Sequence, residues 1–200
     1  LKILPGGKGW FLLDLARRLR KQGDSARADA FECRAGYIDT CWVTGPFDNT
    51  SPDAFAHAFS PENRPFSAAD TFMIAPGESV GWNKVRQYGQ NGFIEFRNIF
   101  SKRCCSVAYV MVWLHAEREQ DALLLLSYPE PVAVWFNDSL VHRQSVYRYA
   151  SVDDDMVRVR LRPGPNRVLI KSMQNFPTWM VSCRVTDLYG EAIPDVSLSW

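Results

Sequence analysis

The sequence predicts a mainly β protein: an antiparallel β-sandwich preceded by a short helical hairpin. Three observations carry this. From Gly9 to about Ala35, apolar residues recur at helical spacing and are interrupted by a glycine at position 23. After Gly36 the period changes to alternation in short runs. Proline and glycine then punctuate the chain every few residues, as turns between many short strands do.

The helices come first. Between Gly9 and Gln22, the residues Leu12, Leu15, Ala16 and Leu19 form one apolar stripe. Arg17, Arg18, Arg20 and Lys21 crowd its end, where cations complement the helix dipole. Gly23 is a stop, and Asp24 or Ser25 is an N-cap for a second helix running to about Ala35. The pattern Leu19, Gly23-Asp24, Ala28 resembles the turn of a tetratricopeptide-type hairpin, although any two short packed helices share it. A lone hairpin of that kind cannot bury its own face. The sequence also begins at Leu1 rather than Met. Residues 1–36 are therefore expected to be a helical hairpin that ends a helical-repeat region of a longer chain.

Residues 37–200 are expected to form the sandwich. Strands are predicted near 38–44, 71–75, 92–99, 105–116, 122–128, 131–137, 139–143, 155–162, 166–173 and 178–188. Between Asp48 and Ala69, Pro52, Pro61 and Pro65 stand among scattered aromatics, which reads as a long loop. In Arg162-Pro163-Gly164-Pro165, proline presets φ and Gly164 supplies a positive φ, giving a type II turn. Before it, Val157, Val159 and Leu161 face one way and Arg158, Arg160 and Arg162 the other, so one face is core and one is wet. Asn137-Asp138 reads as a tight turn between two strands.

The totals narrow the function. The chain of 200 residues is 46% hydrophobic and 13% aromatic, enough for a sizeable core. Its 23 basic and 22 acidic residues leave a net charge of +1, which argues against a broad nucleic-acid surface. The longest apolar run, Val107 to Leu114, is too short for a helix that spans a bilayer, so no membrane insertion is expected. No signal segment is visible, and with a start at Leu1 that carries no weight. The five cysteines, Cys33, Cys41, Cys104, Cys105 and Cys183, include no C-x-x-C pair. They read as small buried hydrophobes or as one disulfide in an oxidising compartment, so the compartment stays open.

The turns coincide with a recognisable pattern. Val134-Trp135-Phe136-Asn137-Asp138-Ser139-Leu140-Val141 resembles the V-W-L-N-G-x-x-V hairpin of galactose-binding-like domains, with Asp138 in place of the glycine. Asp155, Val159, Leu161, Gly164, Asn166, Leu169 and Lys171 follow the order of that family's next segment. Trp179 through Arg184 is similar to a later strand, and Trp42 to Asn49 to its W-x-x-x-G-P-F-D-N opening. Trp82 with Gly92-Phe93-Ile94 is similar to a further element. The resemblance covers about Tyr37 to Val196 and implies a jelly-roll sandwich. It also implies an accessory module of a larger bacterial protein, often secreted, with extracellular or periplasmic settings. Many such domains bind sugars, and others have no known ligand.

Most matched residues read as architecture. Asn137, Gly164 and Asn166 are turn chemistry, and Trp42, Trp82, Trp113, Trp135 and Trp179 are core or edge cover. Lys171 either snorkels or pairs across the sheet. No H-E-x-x-H, G-x-S-x-G or G-x-G-x-x-G occurs, and Gly6-Gly7-Lys8-Gly9 lacks the spacing of a phosphate loop. His57, His115 and His142 identify no dyad. The sequence therefore points to no enzyme. Asp153-Asp154-Asp155 is either a solvated loop or, through Asp153 and Asp155, a source of ligands for a structural calcium.

The stretch from His142 to Tyr149 is the candidate binding segment. It is rich in groups that hydrogen-bond hydroxyls or stack on sugar faces, and it lies in an inter-strand connection. Arg143, Tyr147, Arg148 and Tyr149 are the candidate contacts, with Trp179 as a neighbour. The expected function is a non-catalytic carbohydrate-binding module. The alternative is a structural or protein-interaction domain that braces a helical-repeat or neighbouring domain.

Overall fold

A computed structural model describes residues 7–51, 53–86, 92–100 and 105–199. Gly6, Pro52 and Cys104, singled out above, lie outside the described residues. The helical hairpin consists of α1 (Lys8–Lys21) and α2 (Ser25–Ala35). The Asp24 carboxylate accepts from the Arg27 amide at 3.2 Å and caps α2. Ala16, Leu19 and Ala28 form a small core between the helices, with Leu15 and Phe31 at its edge. Gly36 ends α2 with φ 73°. A Cβ there would lie 2.6 Å from the Val185 carbonyl, so only glycine lets the chain turn this close to the sandwich.

Two antiparallel sheets make the sandwich. The first contains β1 (Thr40–Asp48), β4 (Asn83–Arg86), β6 (Ser106–Ala116), β8 (Val132–Phe136), β9 (Ser139–Gln144), β11 (Gly164–Gln174) and β13 (Val196–Ser199). Its order is β4-β1-β6-β11-β8-β9. β1 takes the first half of β6, from Ser106 to Met111, and β13 takes the second, from Trp113 to Ala116. The second sheet runs β10 (Asp155–Leu161), β7 (Gln120–Ser127), β12 (Met180–Thr186), β5 (Ile94–Glu95). A separate hairpin pairs β2 (Thr71–Ala75) with β3 (Glu78–Gly81).

Strand alternation places the core. Val110, Val112, Leu114, Val168 and Ile170 meet Leu124, Leu126, Val159, Leu161 and Val181 between the sheets. The other face of the first sheet is also covered. There Val107, Tyr109, Met111 and Leu169 pack with Phe47, Phe72 and Trp82. This explains the unbroken apolar run from Val107 to Leu114: a strand buried on both faces needs no polar alternation. Each large side chain so buried contributes about 1.5–3 kcal/mol.

The turns follow the reading from sequence. Asn137 (φ 47°) and Asp138 (φ 66°) both adopt left-handed backbone between Phe136 and Ser139, the signature of a type I′ hairpin. Asp138 occupies the glycine position without loss of the turn, and its carboxylate accepts from Arg167 at 2.5 Å. The Asn137 side chain accepts from the Arg167 amide and donates to Asn166. Gly164 has φ 87°. Trp82 and Trp179 are buried, and Trp42, Trp113 and Trp135 pack against the outer cluster.

Four elements depart from expectation. The segment 92–99 is only two residues of strand followed by one helical turn, α3 (Phe96–Ile99). That turn drives Phe96 and Phe100 onto Trp179, with ring centroids 4.8 and 5.8 Å away. The polar strands β3 and β4 and the terminal β13 were not anticipated, because each is four residues long with little alternation.

Candidate functional site

The candidate segment runs over one end of the sandwich as the connection from β9 to β10. The Arg148 amide donates to the Pro129 carbonyl at 2.9 Å and anchors it there. Four side chains converge beneath it. The Tyr128 hydroxyl, just past β7, donates to the Asp155 carboxylate at the start of β10. The same hydroxyl lies 2.7 Å from Nε2 of His142 on β9. With the hydroxyl proton directed at Asp155, His142 is the Nε2–H tautomer and donates to the phenol oxygen. The Arg148 guanidinium donates to the same Asp155 oxygen and lies 4.2 Å from the centre of the Tyr128 ring.

The electrostatics of this cluster are self-consistent. Burial alone pushes the Asp155 carboxyl up, but hydrogen bonds from Tyr128 and Arg148 and the Arg148 charge outweigh it and hold it below its ordinary value. Burial pushes His142 down, and the nearby Asp155 opposes this only in part. Burial also raises the Tyr128 phenol, and the hydrogen bond to Asp155 adds to it. The stable state is an ionised Asp155–Arg148 pair beside a neutral histidine and a neutral tyrosine.

Above this frame lies an apolar surface. Tyr147, Tyr149 and Phe176 are 40%, 89% and 50% exposed. Tyr147 packs against Phe176 at 4.5 Å and against Tyr149 at 6.5 Å between ring centroids. Phe176 belongs to the β11–β12 connection. Its amide donates to the Glu130 carboxylate at 2.7 Å.

The structure thus brings together Tyr147, Arg148 and Tyr149. It places the other expected residues elsewhere. Arg143 is exposed on β9 and lies 5.0 Å from the Phe55 ring, over the long loop. Trp179 is 2% exposed, donates to Ser172 at 3.1 Å and belongs to the core, so its side chain is no part of this surface. Asp153 and Asp155 do not share one site. Residues two apart on a regular strand share a face, but the left-handed backbone of Asp153 (φ 54°), ahead of β10, breaks that alternation. Asp153 faces the Arg184 guanidinium at 2.6 Å, and Asp155 faces Arg148. Among the described residues no three His, Cys, Asp or Glu side chains form a metal cluster.

Other chemistry-bearing residues have structural partners. Lys171 is buried, and its ammonium donates to Glu62 at 2.8 Å and to the His57 carbonyl at 2.6 Å. It therefore neither snorkels nor pairs across the sheet, but ties down the long loop. The Tyr109 hydroxyl donates to the same Glu62 oxygen. Cys41 and Cys183 are buried free thiols pushed up to about 12, chiefly by burial. Cys33 is also a free thiol.

No protein-family model matches the chain, and no curated protein is significantly similar to it. Several solved structures share part of its layout. A glycosyl hydrolase family 2 member from Bacteroides cellulosilyticus aligns over 76% of this chain and 20% of its own, at 9% identity and TM-score 0.46. A β-glucosidase from Kluyveromyces marxianus in complex with glucose aligns over 77% of this chain and 17% of its own, at 12% identity and TM-score 0.42. A glycosyl hydrolase family 2 β-galacturonidase from Eisenbergiella tayi aligns over 74% and 24%, at 9% identity and TM-score 0.39. The chain spans about a fifth of the length of these proteins.

Sequence reasoning missed Tyr128, His142 as a partner of Asp155, and Phe176. Tyr128 stands directly before Pro129 and Phe176 directly before Pro177, each in a connection leaving a strand. Aromatics in such connections were a usable signal, but only the fold brings them beside residues 147–149.

Proposed function

We propose that the chain acts as a non-catalytic carbohydrate-binding accessory module, with the sugar held over Tyr147, Tyr149 and Phe176. One observation carries this reading: the exposed Tyr147 and Tyr149, on a connection that an ion-paired frame holds in place, meet the exposed Phe176 of a neighbouring connection. Aromatic faces offer apolar area at small entropic cost, and the adjoining Arg148 and Asp154 supply polar edges for hydroxyl groups. The charges of Arg148 and Asp155 cancel locally, which suits a neutral saccharide. Asp155 is held ionised by Arg148, so it is poorly placed to act as the general acid that glycoside hydrolysis requires.

A glycan array probed with the wild type and with Tyr147→Ala and Tyr149→Ala tests the proposal. The wild type is expected to retain a defined set of glycans, and both variants to lose roughly tenfold or more in affinity, about 1.4 kcal/mol. No binding by the wild type, or binding unchanged from wild type in both variants, sinks it.

A second reading rests on a different observation. The fully buried Arg184–Asp153 pair reaches into the hairpin, where Arg184 donates to the Ala35 carbonyl at 2.7 Å and Asp153 accepts from the Gly7 amide at 2.9 Å. This favours a domain that braces the helical segment. Sugar binding over Tyr147, Tyr149 and Phe176 is compatible with it.

A further inference from the structure

The aromatic surface is assembled from two connections, and one buried segment holds both. Ser127-Tyr128-Pro129-Glu130-Pro131 runs from the end of β7 to the start of β8 and is buried throughout. A connection between strands is normally exposed, because its backbone polar groups need water. Here the segment engages two other connections instead. On one side is the connection from β9 to β10. The Ser127 hydroxyl accepts from the Asp153 amide at 2.7 Å. The Tyr128 hydroxyl donates to Asp155, and its ring lies 4.2 Å from the Arg148 guanidinium. The Pro129 carbonyl accepts from the Arg148 amide at 2.9 Å.

On the other side is the end of β11 with the connection that follows it. One Glu130 oxygen accepts from the Phe176 amide at 2.7 Å, and the carboxylate also accepts from the Asn175 amide. The Pro131 carbonyl accepts from the Met173 amide at 3.0 Å. Asn49, just past β1, fixes the same stretch: its side-chain amide donates to the Gln174 carbonyl and to the Asn175 side chain, both at 3.0 Å. Of five consecutive residues, the first three therefore hold one connection and the last two hold the other. Prolines 129 and 131 fix φ on either side of Glu130, so the segment has little freedom to yield.

We propose that Tyr128 and Glu130 are positioning residues of the aromatic surface: they join the two connections into one unit, so that Tyr147, Tyr149 and Phe176 hold their relative places before any ligand arrives. Tyr128 and Glu130 are both 0% exposed, so neither can touch a ligand at that surface. Their effect passes through Arg148 and through the Phe176 backbone. The direct contact of Tyr147 with Phe176 completes the circuit. A surface held in this way loses little conformational freedom on binding, which favours affinity from few contacts. The use of the surface for a ligand rests on the sugar reading. The joining of the two connections does not.

Amide hydrogen exchange on the whole chain, free of ligand, tests this at two positions: Arg148 in one connection and Phe176 in the other. Glu130→Ala removes the acceptor of the Phe176 amide directly. The informative reading is therefore at Arg148, where exchange is expected to quicken about fivefold or more. Tyr128→Leu removes the support of Arg148, and exchange at Phe176 is expected to quicken by about the same factor. The amide of Val110, in the middle of β6, should keep its wild-type protection. Glu130→Gln, which retains an oxygen acceptor, should restore both positions. If Tyr128→Leu does not fold, Tyr128→Phe, which loses only the hydroxyl, takes its place. If Glu130→Ala does not fold, the Tyr128 variant read at Phe176 decides. Exchange that quickens only on the side of the substitution overturns the proposal. So does a rise shared by Val110, which would mark an ordinary loss of stability. A coupled response in a chain that retains no glycan sinks the sugar reading and leaves the joint standing. Independent responses in a chain that binds glycans do the reverse.

Discussion

Two arginine–aspartate pairs start from the same acidic run and do opposite work. Asp153 pairs with Arg184 at 2.6 Å, with side chains 1% and 0% exposed. Asp155, two residues on, pairs with Arg148, with both side chains about one quarter exposed. Around Arg184 every direction is protein. It also donates to the carbonyls of Ala35 and Gly190, and Tyr37 stacks 5.4 Å away. Around Arg148 one side is open and carries Tyr147 and Tyr149. The difference teaches that burial and additional partners, not residue type, decide whether such a pair joins the hairpin to the sandwich or frames a surface. The desolvation cost of the buried pair is offset in part by the Gly7 amide on Asp153 and by the Ala35 and Gly190 carbonyls on Arg184.

Four experiments would break or sharpen this contrast. The largest effect is expected from Arg184→Met, which leaves Asp153 buried and unpaired and frees the Ala35 and Gly190 carbonyls. A loss of about 3–5 kcal/mol in urea unfolding is expected, with early loss of helical signal as the hairpin detaches. Adding Asp153→Leu should recover part of it, since a neutral pair removes the isolated charge. A cost below about 1 kcal/mol for the single variant would refute the joining role.

Next comes Gly9→Ala. Gly9 is buried, and a Cβ there would overlap the Arg184 guanidinium. The clash is expected to cost about 1–3 kcal/mol despite alanine's better helix propensity. A gain in stability would show that α1 moves freely over the pair.

The exposed pair should respond more mildly. Asp155→Asn is expected to cost about 1 kcal/mol, because solvent screens it. It is also the pH-sensitive one. The folded values of both Asp155 and His142 lie below their ordinary ones. A group lowered on folding adds stability that is complete above its unfolded pKa and lost as pH falls through the folded value. The His142 contribution is therefore lost on going down from about pH 6.5, and that of Asp155 on going down from about pH 4. Unfolding measured between these limits should show a shallower pH dependence in His142→Gln than in the wild type. Identical slopes would contradict the assignment of a buried neutral histidine.

The smallest effect on stability belongs to Tyr149→Ala, within about 0.5 kcal/mol, because the side chain is 89% exposed. That variant separates binding from folding most cleanly, and a stability loss above about 1 kcal/mol would mark Tyr149 as structural.

Much of the fold was legible because it rests on local rules. The stop at Gly23, the cap at Asp24, the alternation of β10 and the Asn137-Asp138 turn each depend on a few adjacent residues. The short helical turn at Phe96 was not legible. Its cause is Trp179, more than eighty residues away, which receives the Phe96 ring. The candidate surface was half legible. Tyr147, Arg148 and Tyr149 share one segment, whereas Tyr128, Asp155 and Phe176 come from three other places in the chain.

The sequence by itself determined the hairpin, the sandwich and the segment that carries the exposed tyrosines, because periodicity and turn chemistry are written in neighbouring residues. Only the tertiary structure decided what the charges do. It sent Asp153 inward to Arg184 and Asp155 outward to Arg148, locked Lys171 to Glu62 beneath the long loop, and buried Trp179 in the core. An aspartate becomes a joint or a frame according to what surrounds it, and that depends on strands far apart in sequence meeting in space.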